Sequence, residues 1–204
     1  LEAAVDNIVG RHRIVAMEYS PRNGNPYISR VDAGTVELVR ASGCEVVSSG
    51  DLISRFESTL TDAQWQSHLE ASEITNAAFS RAWKFIADQV LTHGFVEELA
   101  VSDEIMRHFA DHNMTTYHPP IVAMNGNAGN PHYETGTGSS TKIVEGSFVL
   151  IDLWAKLNIP GAIYSDLTRT GYVGASVPEK FTTVFNIVAA ARDAGIQYVR
   201  SACD

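Results

Sequence analysis

Apolar and polar positions recur along this chain with changing period, and each period predicts a different element. Arg13-Ile14-Val15-Ala16-Met17-Glu18 is a short apolar run that gives way to Pro21 and Asn23-Gly24, as a buried strand entering a turn does. Residues 35–41 keep helical spacing and stop at Gly43, after which Cys44-Glu45-Val46-Val47 supplies another short strand. Residues 1–58 therefore read as an αβ segment, and residues 59–204 as a separate domain.

From Asp62, which serves as an N-cap, the positions Trp65, Leu69, Ala78, Ala82, Phe85, Ile86 and Val90 predict one long amphipathic helix reaching Gly94. A second helix covers about residues 96–112, with Leu99, Ile105, Met106 and Phe109 on its apolar side. Glu97-Glu98 and Asp103-Glu104 are expected on its wet face. Then the period changes. His118-Pro119-Pro120 forces extended backbone, Ile121-Val122-Ala123-Met124 reads as a strand, and residues 125–130 form a Gly/Asn loop ending in Pro131-His132-Tyr133.

Residues 147–154 form an almost unbroken apolar run, and a second strand over about residues 162–173 follows Asn158-Ile159-Pro160-Gly161, so the two predict a hairpin. Ser176-Val177-Pro178-Glu179 has the capping-box pattern, and Phe181, Val184, Phe185 and Val188 then form a helical stripe expected to pack in the core. Helices alternating with antiparallel hairpins predict an α+β fold rather than a doubly wound sheet.

Composition narrows the class. Hydrophobic residues make up 45% of the chain and charged ones 19%, the profile of a soluble globular protein with one or two cores. A net charge of -9 without clustered Lys and Arg argues against a nucleic-acid surface. No apolar run approaches the ~18 residues that span a bilayer, so no membrane partner is expected. Cys44 and Cys203 are too few and too far apart for a disulfide framework and read as two buried free thiols. The first residues carry no signal-peptide pattern and a cytoplasmic location is expected, although both ends read as cut and an upstream targeting signal stays open.

One residue breaks the pattern in a chemically informative way. Asp152 interrupts a strand that otherwise reads as core, and a buried carboxylate is costly unless paired or ligated. A symmetric turn centred on Ile159 would set Asp152 directly opposite Asp166 on one face of the hairpin. Opposed carboxylates repel and weaken a sheet, whereas a divalent cation between them reverses the sign. The alternatives are an exposed Asp, one paired with Arg169 or Lys156, or one that is protonated. His108 and His112 sit four apart on a helix and could share a zinc ion, but no Glu follows the first of them, and they read as solvated. Gly136-Thr137-Gly138-Ser139-Ser140 is Gly-rich without the Lys-Ser/Thr pair of a P-loop and reads as a mobile loop near the site mouth.

Taken together, Ile151-Asp152-Leu153, Tyr164-Ser165-Asp166-Leu167-Thr168-Arg169-Thr170-Gly171, Pro131-His132-Tyr133-Glu134 and His118-Pro119-Pro120-Ile121-Val122-Ala123 resemble the first half of the pita-bread metallopeptidase domain of the creatinase, prolidase, Xaa-Pro aminopeptidase and methionine aminopeptidase family. The resemblance covers about residues 62–204. Residues 1–58, with Glu18-Tyr19-Ser20-Pro21 and Ser29-Arg30-Val31-Asp32-Ala33-Gly34-Thr35, are more loosely similar to the end of the creatinase-type N-terminal domain.

The resemblance implies an incomplete pita-bread fold and two divalent ions (Mn, Co or Zn) that activate water for peptide hydrolysis. Asp152 would be a metal ligand to one ion, Asp166 a ligand bridging both, and His132 a substrate-facing catalytic residue that is not a ligand. The aspartates are 14 positions apart, a longer hairpin than the family's commonest form, which reads as an extended turn at residues 157–161. The family's ligand His and two ligand Glu have no counterpart here, so the fragment alone is expected to be inactive and to bind metal weakly. The expected reaction is that of a Xaa-Pro aminopeptidase or prolidase-type dipeptidase on a peptide substrate, by a homodimer in the complete enzyme. A non-catalytic peptide-binding relative and a creatinase-like amidinohydrolase are the alternatives, and neither needs the aspartate pair.

Overall fold

The computed structural model describes residues 2–9, 12 and 14–202, and divides into the units Leu1–Thr61 and Asp62–Asp204. The first unit runs α1 (Glu2–Val9), β1 (Ile14–Met17), α2 (Ala33–Ala41), β2 (Glu45–Ser48) and α3 (Gly50–Glu57). The strands β1 and β2 pair in parallel, Val15 beside Val46, with α2 as the crossover between them. Asp32 caps α2 by accepting the Thr35 N–H at 2.9 Å, and Gly43 ends it at φ +82, a conformation that suits glycine. Val36, Val39, Cys44 and Val46 form this unit's small core. Cys44 is a buried free thiol, as expected, whereas Cys203 lies outside the described residues.

The second unit is built on α4 (Asp62–His93) and α5 (Glu98–Asp111), separated by the short strand β3 (Val96–Glu97). Ala71, Thr75, Ala78, Phe79, Ala82 and Ile86 recur three or four residues apart and are all buried, so one stripe of α4 faces the core. The stripe differs from the expected one at its start: Trp65 and Leu69 are partly solvent-exposed, as is Leu99 on α5. Small residues dominate the buried stripe and let the sheet approach closely. A Cβ on Gly171 would come within 3.1 Å of the Trp83 ring, so glycine at that position is part of the same fit.

The sheet centres on β7 (Phe148–Leu157), which pairs antiparallel with β8 (Ser165–Tyr172), with β5 (Ile121–Met124) and with β4 (Met114–Thr115). A separate pair joins β3 to β6 (Lys142–Ile143). Val149, Ile151, Leu153 and Ala155 of β7 are fully buried, while Phe148, Leu150, Asp152, Trp154 and Lys156 between them are only half-buried. The run that reads as uniformly buried in sequence is thus an alternating strand with one face in the core and one face open.

Helix α6 (Glu179–Ala202) closes the described chain. Its Phe181 ring stacks on Phe148 at 5.1 Å, but Val184, Phe185 and Val188 are more than half exposed, against the expectation of a core stripe. The periodicity located the helix correctly and could not say whether a partner covers its apolar side. No helix among the described residues is long and apolar enough to cross a membrane.

Candidate functional site

The open face of β7 and β8 carries the two aspartates. In the observed register Asp152 lies opposite Thr168 and Asp166 opposite Trp154, so the pair is diagonal and not directly opposed as the symmetric turn predicts. The turn is centred one residue further along, which shifts the register by two, because residues 158–164 form an irregular connection in which Gly161 adopts φ +76. The side chains still share a face, since the shift preserves parity, and diagonal neighbours stand roughly 7–8 Å apart.

Neither residue is an enclosed core carboxylate. Asp152 is half-buried and accepts the Thr168 hydroxyl at 2.6 Å, while Asp166 is exposed as a residue. Partial burial nonetheless raises the Asp166 carboxyl above its ordinary value, and the Asp152 charge raises it further.

No basic side chain neutralises them among the described ion pairs. Arg169 has the opposite parity and points toward α4, where it bonds the Asn76 side chain and sits over the Phe79 ring at 4.7 Å. Lys156 shares the open face but lies over the Tyr164 ring at 5.3 Å. Two hard oxygen donors, mutually repelling and without a counter-charge among the described residues, fit a divalent cation. They are only two, and the described residues contain no group of three or more His, Cys, Asp or Glu placed to hold a metal.

Beside the carboxylates lies an aromatic cluster that the sequence pattern did not single out. Trp154 stacks on His118 at 5.8 Å and meets Tyr117 at 5.7 Å, and Tyr117 in turn meets Tyr164 edge-on. The Trp154 Nε1 has no acceptor within the described residues. Only register reveals the cluster, since Tyr117 and Tyr164 are distant in sequence.

His132 lies on the loop after β5 and is exposed, with its backbone N–H donated to the Asn130 side chain at 3.0 Å. No described hydrogen bond or ion pair joins it to either aspartate. Its neighbour Tyr133 is buried and bonds Glu98, which is completely buried, against the expectation of a wet helix face. Two acidic residues at a helix start look solvated in sequence because that position favours negative charge. Only the folded loop shows that Glu98 turns inward. The Gly136–Ser140 stretch is also tied down, through Gly136 and Gly138 N–H groups and the Ser140 carbonyl, rather than left free as a mobile loop.

His108 corrects another expectation. Far from being solvated, it is buried and bonds the Ile74 carbonyl at 3.1 Å through Nε2, and burial lowers its pKa from the ordinary 6.5. His112 bonds the His108 carbonyl and its ring lies 4.2 Å from that of His108, so His108 ties α5 to α4 while His112 closes the end of α5.

Residues 66–203 match the profile of the metallopeptidase family M24. No curated protein sequence matches the chain. Among solved structures it is similar to an X-Pro aminopeptidase from Thermotoga maritima MSB8, at 16% identity and a TM-score of 0.59 over 94% of this chain and 49% of that one. It is also similar to a Xaa-Pro dipeptidase from Bacillus anthracis, at 22% identity and a TM-score of 0.57 over 92% and 48%. For a prolidase from Pyrococcus horikoshii OT3 the values are 21% and 0.58 over 95% and 50%. These likenesses show the fold, and the chain spans about half the length of each of these proteins. The match over most of the sequence and the shared architecture place the chain in the metallopeptidase family M24, with the mixed helix-and-sheet structure of the pita-bread fold.

Proposed function

We propose that this chain supplies part of the site of a divalent-metal peptidase that cleaves Xaa-Pro bonds, with Asp152 and Asp166 as metal ligands and His132 facing the substrate. The observation that carries the reading is the pair of carboxylates on one open sheet face, with no basic partner among the described residues. Divalent ions bound there, which the family chemistry suggests are Mn, Co or Zn, would activate water and polarise the scissile carbonyl.

The chain's own residues supply position. Thr168 holds the Asp152 carboxylate through a 2.6 Å bond and so fixes its orientation on the strand. His132, exposed and presented from a tethered loop, is available to hydrogen-bond a peptide near its scissile nitrogen. The Trp154, Tyr117 and His118 rings offer flat apolar surface next to the carboxylates, suited to a proline ring. A homodimer and a cytoplasmic location remain part of this reading.

The test is hydrolysis of Ala-Pro and Xaa-Pro peptides with Mn²⁺, Co²⁺ or Zn²⁺. Two carboxylates are too few to hold two ions, so the 204-residue chain alone is expected to release no proline above buffer. The same sequence within a polypeptide of the relatives' length is expected to release it, and Asp152→Asn to abolish that release. Metal-dependent turnover by the short chain refutes the ligand count. Its absence from the longer polypeptide with both aspartates intact refutes the peptidase reading.

A further inference from the structure

The connection between β5 and β6 is long, glycine-rich and without regular structure beyond one short helical turn, Asn125–Gly129. Loops of this length inside a compact unit need an organising contact. Glu98, at the first turn of α5 and fully buried, provides one. Its Oε1 accepts the Met124 N–H at 2.7 Å and the Asn127 Nδ2 at 2.9 Å. Its Oε2 accepts the Tyr133 hydroxyl and the Gly136 N–H, the latter at 3.4 Å.

Every one of these partners is a donor on residues 124–136, and no cation is paired with Glu98 among the described residues. A buried carboxylate is costly unless its hydrogen-bonding capacity is filled, and here the end of β5 and the loop after it fill it, aided by the positive end of α5. An apolar side chain at this position could pack α5 but could not gather four donors. Tyr133 repeats the pattern by accepting the Gly138 N–H at 3.1 Å and the Asn127 amide at 3.1 Å. Asn127 fits so tightly that a Cβ on Gly138 would come within 2.6 Å of its amide.

The consequence falls on His132. It precedes Tyr133 directly, and the Asn130 side chain and carbonyl accept the backbone N–H groups of His132 and Tyr133. With Tyr133 held inward, the adjacent exposed His132 is fixed at the surface. We propose that Glu98 is a positioning residue that fixes His132 by gathering the loop's donors and anchoring Tyr133. The inference rests on the reading of His132 as a substrate-facing residue.

The test is ¹⁵N relaxation and amide exchange on the full chain in EDTA, comparing the parent with Glu98→Gln and Tyr133→Phe. Glu98→Gln places an amide where two donors converge. It is expected to speed exchange of whichever of the Met124 and Gly136 amides faces the new NH2 at least about tenfold. It should also lower order parameters around His132 from about 0.85 toward 0.6, with α4 amides unchanged. Tyr133→Phe should loosen residues 130–138 and leave the Met124 amide protected. A merely structural role predicts uniform loss of protection across α4 and the loop, and that result overturns the proposal. So does an unchanged loop in either folded variant. Should Glu98→Gln fail to fold, Tyr133→Phe alone decides by the same criteria. Because loop order is read without metal or substrate, its failure is distinct from failure of the peptidase reading, which the hydrolysis assay tests.

Discussion

Asp152 and Asp166 are diagonal neighbours on the open face of the β7–β8 hairpin, Asp152 across from Thr168 and Asp166 across from Trp154. Offset and partial exposure weaken their repulsion relative to a directly opposed pair. At roughly 7–8 Å and an effective dielectric between those of protein and water it amounts to about 1 kcal/mol or less.

Removing one of those charges should therefore stabilise the metal-free protein slightly. Asp166→Asn, which breaks no described hydrogen bond, is expected to shift the urea midpoint upward in EDTA by the equivalent of up to about 1 kcal/mol. Asp152→Asn keeps an oxygen acceptor for Thr168 and should be neutral within about 0.5 kcal/mol. A clear loss of stability in Asp166→Asn would mean that the carboxylate makes a favourable structural contact instead of a repulsive one.

The exposed side of α6 gives a second expectation. Val188 is 62% exposed, so Val188→Lys should change stability by no more than about 0.5 kcal/mol. Phe79, which is completely buried, should cost about 3–5 kcal/mol as Phe79→Ala. Urea melts of both variants check the contrast, and a Val188→Lys penalty approaching that of Phe79→Ala contradicts the exposure of this helix.

Acid sensitivity should arise partly at His108. Its folded pKa lies below the ordinary 6.5, chiefly because it is buried, so between the two values the unfolded chain binds more protons than the folded one. The contribution is fully present above the unfolded value and is lost as pH falls through it toward the folded one. His112 and Arg81 disfavour the charge as well, whereas the Ile74 carbonyl and Asp111 favour it. His108→Gln retains a donor for the Ile74 carbonyl without titrating. Its urea midpoint should fall less between pH 7 and pH 5 than that of the parent, and parallel slopes contradict this assignment.

Much of the architecture was legible because period and punctuation agree along the chain. Asp62 and Gly94 bracket α4, His118-Pro119-Pro120 precedes β5, and Pro160-Gly161 lies in the hairpin connection. Facing and register were not legible. The apolar run of β7 hid its open face because half-buried Leu150 and Trp154 are as apolar as buried Ile151 and Leu153. One irregular connection moved Asp152 from Asp166 to Thr168. Glu98 and His108 read as solvated because their burial depends on a loop and a helix far away in sequence.

The most direct test of the account is paramagnetic broadening by substoichiometric Mn²⁺ in ¹⁵N-resolved spectra of this chain. Binding at the aspartate pair predicts selective broadening around residues 150–154 and 164–168, with little effect on the remote Asp103–Asp111 side of α5. Asp152→Asn and Asp166→Asn should each remove it. Broadening centred elsewhere, or persisting unchanged in both variants, contradicts the assignment of Asp152 and Asp166 as metal ligands.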